Sequence, residues 1–295
     1  MISPTNSLER ALILIETIGR APAGLTNGES SRLLRIPRST CSYIMKRLER
    51  NGYLTRDAET GRYKVGLAVV ALAYGALRDM GLRSIGEPAL YKLACETGLS
   101  ANIGVLDRGR VLLVDRVESP KFVERIVDAA TEPPTAPVPS EKMSTTEAIR
   151  LRNERDIGRE LPADASALGE VLLAHLSKAE LLNMIRQYGL SRFRTSKASM
   201  EQLTTELVQV RKQGYAASYG NYEKGVCAIA APIVDQCGMV RAAVSINGFP
   251  SEADWSDPGE LVEQVKAAGR DISRRARQWA NVESCLEVGR NSAMS

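Results

Sequence analysis

Basic and hydroxyl-bearing side chains are concentrated in one short segment of this sequence. Residues 32–64 contain nine Lys or Arg and three Asp or Glu, a net charge of +6, whereas the whole chain of 295 residues carries +4. The rest of the chain is therefore slightly acidic. Positive charge confined to one small module indicates that this module alone meets a polyanion.

Three predicted helices position these charges. Apolar residues at helical spacing predict a first helix over residues 7–19. Thr26 precedes Glu29 by three positions, which is the capping-box pattern and predicts the start of a second helix. Pro37 can occupy the first turn of a third helix, which the Asn-Gly pair at 51–52 would end.

A basic hairpin follows the third helix. Strands over residues 53–56 and 62–65 flank the turn-rich sequence DAETG and predict a two-stranded wing. Hydroxyl and basic groups at the start of the third helix suit phosphates and base edges in the major groove, and basic groups on the wing suit phosphates or the minor groove. We therefore predict a winged helix-turn-helix that contacts double-stranded operator DNA; a solvated basic surface on a protein-interaction module is the alternative. The predicted contacts are Arg38, Ser39, Thr40, Tyr43, Lys46, Arg47, Arg56, Arg62 and Lys64.

The composition excludes several classes of function. With one histidine, His175, and no G-x-S-x-G, the chain has little from which to build a catalytic triad or a histidine metal cluster. Five cysteines without a Cys-x-x-Cys indicate reduced thiols in a cytoplasm. The longest apolar run, residues 66–77, is shorter than the roughly 20 residues of a membrane span, and no signal peptide is evident. We expect a cytoplasmic protein without catalytic residues, metal, cofactor or membrane contact.

An apolar helix is predicted after the hairpin. Residues 66–80, GLAVVALAYGALRDM, are small or apolar on nearly every side. A helix of this kind has to be buried, either against a partner subunit or, as the alternative, in the core of its own chain.

From about Ser84 the pattern predicts an α+β domain. A helix leads to two strands joined at residues 107–109, and a second pair of strands turns at 235–238. Strands that share one sheet with helices on its faces form such a fold. The predicted helices cover residues 166–175, 178–188 and 199–213, with a terminal helix from about 258. Residues 128–146, rich in Pro, Ser and Thr, predict an extended loop.

Several of these segments resemble one known family. IPRSTCSYIMKRLERNGYLTRDAETGRYKVG and SLERALILIETI are similar to the winged-helix domain of the isocitrate-lyase-regulator (IclR) family of bacterial transcription factors. ETGLSANIGVLDRGRVLLVDRVESP, IGRELPADASALGEVLLA and GYAASYGNYEKGVCAIAAPIVDQCGMVRAAVSING resemble its effector-binding domain in the same order. The resemblance covers roughly residues 7–280 apart from 128–146. Tyr43 stands where family members commonly have an arginine, which suggests an individual operator sequence.

The resemblance implies an α+β chain with three parts. Residues 1–65 would be the winged helix-turn-helix domain, residues 66–83 a linker helix that helps dimerise the chain, and residues 84–295 a GAF-like effector-binding and oligomerisation domain. A homodimer, or a homotetramer built as a dimer of dimers, would bind the operator. Residues 128–146 would be an insertion, either a surface excursion or a lid over the effector site.

The resemblance also implies a small-molecule carboxylate effector, which includes aromatic acids, and a role in controlling catabolic genes. Free N–H groups at a helix start attract carboxylates. Asp164, Glu170, Asn221 and Ala228 depart from residues common in the family, so the acid itself stays open. The implied effector contacts are Ser166, Ala167, Leu168, Ser218, Asn221, Ala228, Ser245 and Asn247. An enzyme, or a DNA-binding protein without an effector, are the alternatives on the same fold.

Overall fold

The computed structural model describes residues 6–79, 81–118, 157–189 and 200–292. The predicted insertion at 128–146 lies outside them. The chain divides into two compact units, Met1–Met80 and Gly81–Ser295. No helix in the described ranges has the length and apolar character that a membrane crossing requires.

The first unit is a winged helix-turn-helix followed by one further helix. Its elements are α1 (Ser7–Gly19), α2 (Asn27–Leu34), α3 (Arg38–Arg50), β1 (Leu54–Arg56), β2 (Tyr63–Val65) and α4 (Leu67–Asp79). The predicted capping box is confirmed, because Thr26 Oγ1 accepts the Glu29 N–H while the Glu29 carboxylate accepts the Thr26 N–H. A small core of side chains from α1, the turn between α2 and α3, α3 itself and the wing holds the unit together: Leu14, Ile18, Ile36, Cys41, Ile44, Met45, Leu54 and Tyr63.

Helix α4 has large apolar side chains that the single chain leaves exposed. The exposed fractions are 81% for Leu67, 60% for Val70 and Leu72, and 65% for Tyr74. These four side chains are therefore not part of the core of the first unit.

The second unit is an antiparallel sheet of six strands with helices on both faces. Its strands are β3 (Ser100–Asp107), β4 (Arg110–Val117), β5 (Glu160–Pro162), β6 (Ala216–Tyr219), β7 (Cys227–Val234) and β8 (Val240–Gly248). Its helices are α5 (Leu82–Thr97), α6 (Ala167–Ala174), α7 (Lys178–Tyr188), α8 (Met200–Gln213) and α9 (Gly259–Ser292). The strand order is β5-β4-β3-β8-β7-β6. The α+β prediction is confirmed.

The two helical layers use opposite faces of the strands. Helix α6 lies on one face, with α8 packed against it, and α5 and α9 lie on the other. On β8, Ala243 belongs to the core cluster around α6, whereas the next residue, Val244, lies beside Gly269 of α9. This follows from the alternation of side chains along a strand.

Both predicted hairpins are present, but the two edge strands were not predicted. The β3–β4 turn uses Arg108 and Gly109 with φ of 45° and 75°, as expected for a two-residue hairpin turn. Strands β5 and β6 are three and four residues long. Three or four residues are too few for a sequence pattern to predict a strand, and β5 and β6 are recognised as strands by their pairing with β4 and β7.

Candidate functional sites

The exposed face of α3 carries the residues predicted to contact DNA. Arg38, Ser39, Tyr43, Lys46 and Arg47 are exposed and Thr40 is partly exposed, while Cys41, Ile44 and Met45 of the same helix are buried. Pro37 caps the helix without a side-chain hydrogen bond. The first N–H groups of α3 are therefore left for an outside acceptor such as a phosphate.

Tyr43 is not isolated on this face. The guanidinium carbon of Arg47 lies 5.0 Å from the centre of the Tyr43 ring, one helical turn away. At this distance the ring attracts the cation and restricts its orientation. Tyr43, which stands where the family commonly has an arginine, thus lies beside the basic side chain of Arg47 on the same exposed face.

The wing presents two of its three predicted basic residues to solvent. Arg56 and Lys64 are exposed, and Arg56 lies over the Tyr63 ring at 5.8 Å. Arg62 differs, since its guanidinium donates to the Gly24 carbonyl and to the Glu29 carboxylate.

The wing loop is held by one carboxylate. Asp57 Oδ1 accepts the N–H groups of Glu59 and Thr60 at 3.0 and 2.9 Å. The Thr60 hydrogen bond is the main reason that the pKa of Asp57 lies below its ordinary value. An ionised Asp57 therefore closes the loop between β1 and β2.

A cavity of about 80 Å³ lies in the second unit, between the sheet and the start of α6. A single water needs about 10–15 Å³ by the same kind of measure, so the space suits a small organic molecule. Seven of the eight implied effector residues line it: Ser166, Ala167, Leu168, Ser218, Ala228, Ser245 and Asn247. Asn221 is exposed and is not part of the lining.

The register of the sheet brings these residues together. Ser218 pairs with Ala228, and Ala228 pairs with Asn247 on the next strand. Ser245 pairs with Asn102 of β3. Ser218 lies on β6, an edge strand that the sequence did not predict and that pairs with β7.

The start of α6 contributes backbone donors to the cavity. Ser166 caps the helix, since its Oγ accepts the Gly169 N–H at 3.3 Å and donates to the Pro162 carbonyl at 2.8 Å. Within the described part of the chain, the N–H groups of Ala167 and Leu168 have no acceptor. A Cβ at position 169 would collide with the Ala163 backbone, so glycine lets the helix start this close to the loop.

Two arginines that sequence reasoning missed also line the cavity. Arg116 donates from Nη1 to Asn102 Oδ1 at 2.7 Å and from Nη2 to Glu118 at 2.8 Å. Arg159 lies 3.4 Å from Glu223 and 5.5 Å above the Tyr222 ring. The Arg116 side chain is 7% exposed and that of Arg159 is 22% exposed.

A β-bulge explains why the sequence does not predict Arg116 as a residue of the cavity. Ile103 pairs with Asp115 but the next residue, Gly104, pairs with Leu113, so that Val114 is an extra residue in β4. Leu113 and Arg116 are three positions apart and would face opposite sides of a regular strand. The bulge turns both toward the cavity.

The polar groups of the cavity form a connected network. Asn102 Nδ2 donates to Asn247 Oδ1 at 2.8 Å and lies 3.5 Å from Ser245 Oγ, while its own Oδ1 accepts from Arg116. Apolar side chains complete the lining, namely Leu113, Leu161, Leu168 and Val226 together with three alanines. Such a site can hold a small molecule with an anionic group and an apolar body.

Known protein families match both units. The IclR helix-turn-helix domain model matches residues 7–58, and the model described as bacterial transcriptional regulator IclR C-terminal matches residues 141–274. The HTH-type transcriptional regulator XynR of Escherichia coli K12 is 28% identical over 269 residues, which are 91% of this chain and 96% of the relative. The HTH-type transcriptional repressor AllR of the same strain is 26% identical over 271 residues, covering 90% and 89%.

Solved structures share the fold. An IclR homolog from Microbacterium hydrocarbonoxydans, crystallised as a complex with 4-hydroxybenzoate, matches with a TM-score of 0.69 at 22% identity. The match covers 92% of this chain and 99% of that one.

Proposed function

The chain belongs to the IclR family of DNA-binding transcriptional regulators, and we propose on this premise that its second domain senses a small organic acid. The observation that carries the proposal is one cavity that combines the N–H groups of Ala167 and Leu168, at the start of α6, with the guanidinium of Arg159. Helix N-termini and arginine both favour carboxylates. Binding of the acid would alter the affinity of the first domain for operator DNA.

The chemical groups that line the cavity support a carboxylate ligand with an apolar or aromatic body. Ser218, Ser245 and Asn247 offer hydroxyl and amide groups to the polar end of a ligand. Leu113, Leu161 and Val226 would contact its body. The homolog from Microbacterium is complexed with 4-hydroxybenzoate, which makes hydroxybenzoates the first acids to try. The genes under control would encode the breakdown of the acid that is sensed.

We further propose that the chain acts as a dimer, or as a dimer of dimers, on a near-palindromic operator. The exposed apolar side chains of α4 support this, because a helix with four such residues favours burial against a second copy. In this assignment residues 1–65 bind DNA, residues 66–83 link and dimerise, and residues 84–295 hold the effector. Two recognition helices would then read two half-sites.

A ligand screen tests the effector proposal. Unfolding temperatures are measured with hydroxybenzoates, benzoate, pyruvate and glyoxylate, each beside its uncharged amide. Specific binding to the folded state raises stability, so one acid should raise the unfolding temperature while its amide does not.

DNA binding by fluorescence anisotropy, with and without that acid, then measures the coupling between the two sites. If no acid raises the unfolding temperature, the sensing role is wrong, and the result favours a DNA-binding protein without an effector. Consumption of the acid would instead favour an enzyme.

A further inference from the structure

We propose that Arg62 is a positioning residue, which holds the wing against helix α2 through a two-pronged ion pair with Glu29 rather than contacting DNA. The inference rests on the DNA-binding role of the first domain. It separates Arg62 from the other basic residues of the wing, which the amino-acid sequence does not distinguish from it.

The guanidinium of Arg62 is occupied within its own domain. Nη2 donates to Glu29 Oε1 at 3.0 Å, and Nη1 donates to Glu29 Oε2 at 3.2 Å and to the Gly24 carbonyl at 2.7 Å. These contacts use three of the five N–H donors of an arginine. A fork of this kind fixes both distance and orientation between the two side chains.

Glu29 is itself anchored. Its carboxylate accepts the Thr26 N–H at 2.8 Å and the Thr26 hydroxyl at 3.0 Å, as part of the capping box of α2. These bonds, together with Arg62, place the pKa of Glu29 below its ordinary value, so that it is ionised at neutral pH. The carboxylate therefore joins the first turn of α2 to the base of the wing.

The backbone beside Arg62 is fastened at the same place. Leu25 and Tyr63 exchange two hydrogen bonds, at 3.0 and 2.8 Å, which add a short bridge to the wing. Gly24 has φ of 70°, and a Cβ there would lie 2.5 Å from the Tyr63 carbonyl oxygen. The start of β2 is thus joined by backbone hydrogen bonds to the segment that precedes α2, and by the Arg62 side chain to α2 itself.

The charge balance supports the same role. Glu29 compensates the charge of Arg62, and the two side chains are only 33% and 31% exposed. Lys64 and Arg56 are exposed. Lys64 therefore remains available to a phosphate, whereas Arg62 would have to give up its carboxylate to reach one.

Salt titration of full-length protein on a random-sequence DNA duplex separates a phosphate contact from a positioning residue. The variants are Arg62→Gln, Glu29→Gln, their double variant, and Lys64→Gln as the matched control. Glutamine at position 29 can still complete the capping box. Loss of a phosphate contact reduces the slope of log K against log salt by about 0.9, which we expect for Lys64→Gln only.

We expect Arg62→Gln and Glu29→Gln each to weaken DNA binding by about three- to tenfold with an unchanged slope, which is the range of one hydrogen-bonded pair. Their double variant should lose no more than either single variant, because both remove the same pair. Glu29→Gln is the most informative variant. Removal of a negative charge beside DNA would by itself strengthen binding, whereas loss of the ion pair with Arg62 should weaken it.

Tighter or unchanged binding by Glu29→Gln would overturn the proposal. So would a slope that falls for Arg62→Gln as it does for Lys64→Gln, or losses that add in the double variant. Wild-type protein that binds no DNA would instead refute the DNA-binding role. Amide hydrogen exchange in residues 57–61 tests the ion pair without DNA. Exchange should be faster in the Arg62 and Glu29 variants than in wild type, and unchanged in Lys64→Gln. Equal exchange rates in all the variants would contradict the positioning role of Arg62.

Discussion

Replacing Arg159 by glutamine should remove most of the affinity for a carboxylate effector while the fold is kept. The Arg159 side chain is 22% exposed, so a ligand carboxylate would meet its charge in a partly desolvated setting. A charge-assisted hydrogen bond of this kind contributes about 1.5–3 kcal/mol. The dissociation constant for the acid should therefore rise by about 10- to 150-fold.

The cost to stability should be much smaller. Arg159 approaches Glu223 at 3.4 Å, which is longer than the roughly 2.7–2.9 Å of a strong charge-assisted hydrogen bond, so the pair should contribute no more than about 1 kcal/mol. Arg116 is the contrasting case, because it holds Glu118 and Asn102 together and is 7% exposed. The Arg116→Gln variant should lose both folding stability and binding, which makes it the less informative change.

Isothermal titration calorimetry with the acid found in the screen measures the effect. Arg110→Gln is the matched control, since Arg110 lies on the same strand as Arg116, pairs with Glu160 at 3.4 Å and does not line the cavity. The amide of the same acid should bind wild type and Arg159→Gln equally weakly. An unchanged dissociation constant in Arg159→Gln, or an equal loss for acid and amide, would refute the assignment of Arg159 as the carboxylate partner.

Three further changes test other parts of the molecule. Gly66→Ala adds a Cβ that collides with the Gly52 carbonyl, and should lower the free energy of unfolding of the first domain by about 1–3 kcal/mol in urea melts. Tyr43→Ala releases Arg47 and should change the preferred operator bases in a binding selection without changing the salt slope. Burial raises the pKa of Asp115 above the ordinary 3.8, so the folded chain holds this proton more tightly than the unfolded chain does. The stabilisation is therefore fully present below about pH 3.8, and the free energy of unfolding should fall as pH rises through the raised pKa. The Asp115→Asn variant should lack this fall in urea melts between pH 4 and 7; a fall as large as in wild type contradicts it.

Features that depend on neighbouring residues were predictable from the sequence. The capping box of α2 joins Thr26 to Glu29 three positions away, and α1 has the bounds that its apolar spacing predicts. The β3–β4 turn is made by Arg108 and Gly109 as the hairpin pattern indicates. Each of these is decided by caps, turns and periodicity within a few residues, which act before distant parts of the chain meet.

Features that join distant residues needed the folded chain. Sequence alone determined that the first domain is basic and that it is a winged helix-turn-helix, but not that Arg62 meets Glu29, 33 positions earlier. Asn102 reaches Asn247 across 145 positions, and Arg159 reaches Glu223 across 64. Strand register places Asn102 beside Ser245 and Asn247, and the bulge at Val114 turns Arg116 toward the same cavity. A shift of one residue moves side chains to the opposite face of a sheet, so only the tertiary structure decided which arginines line the cavity.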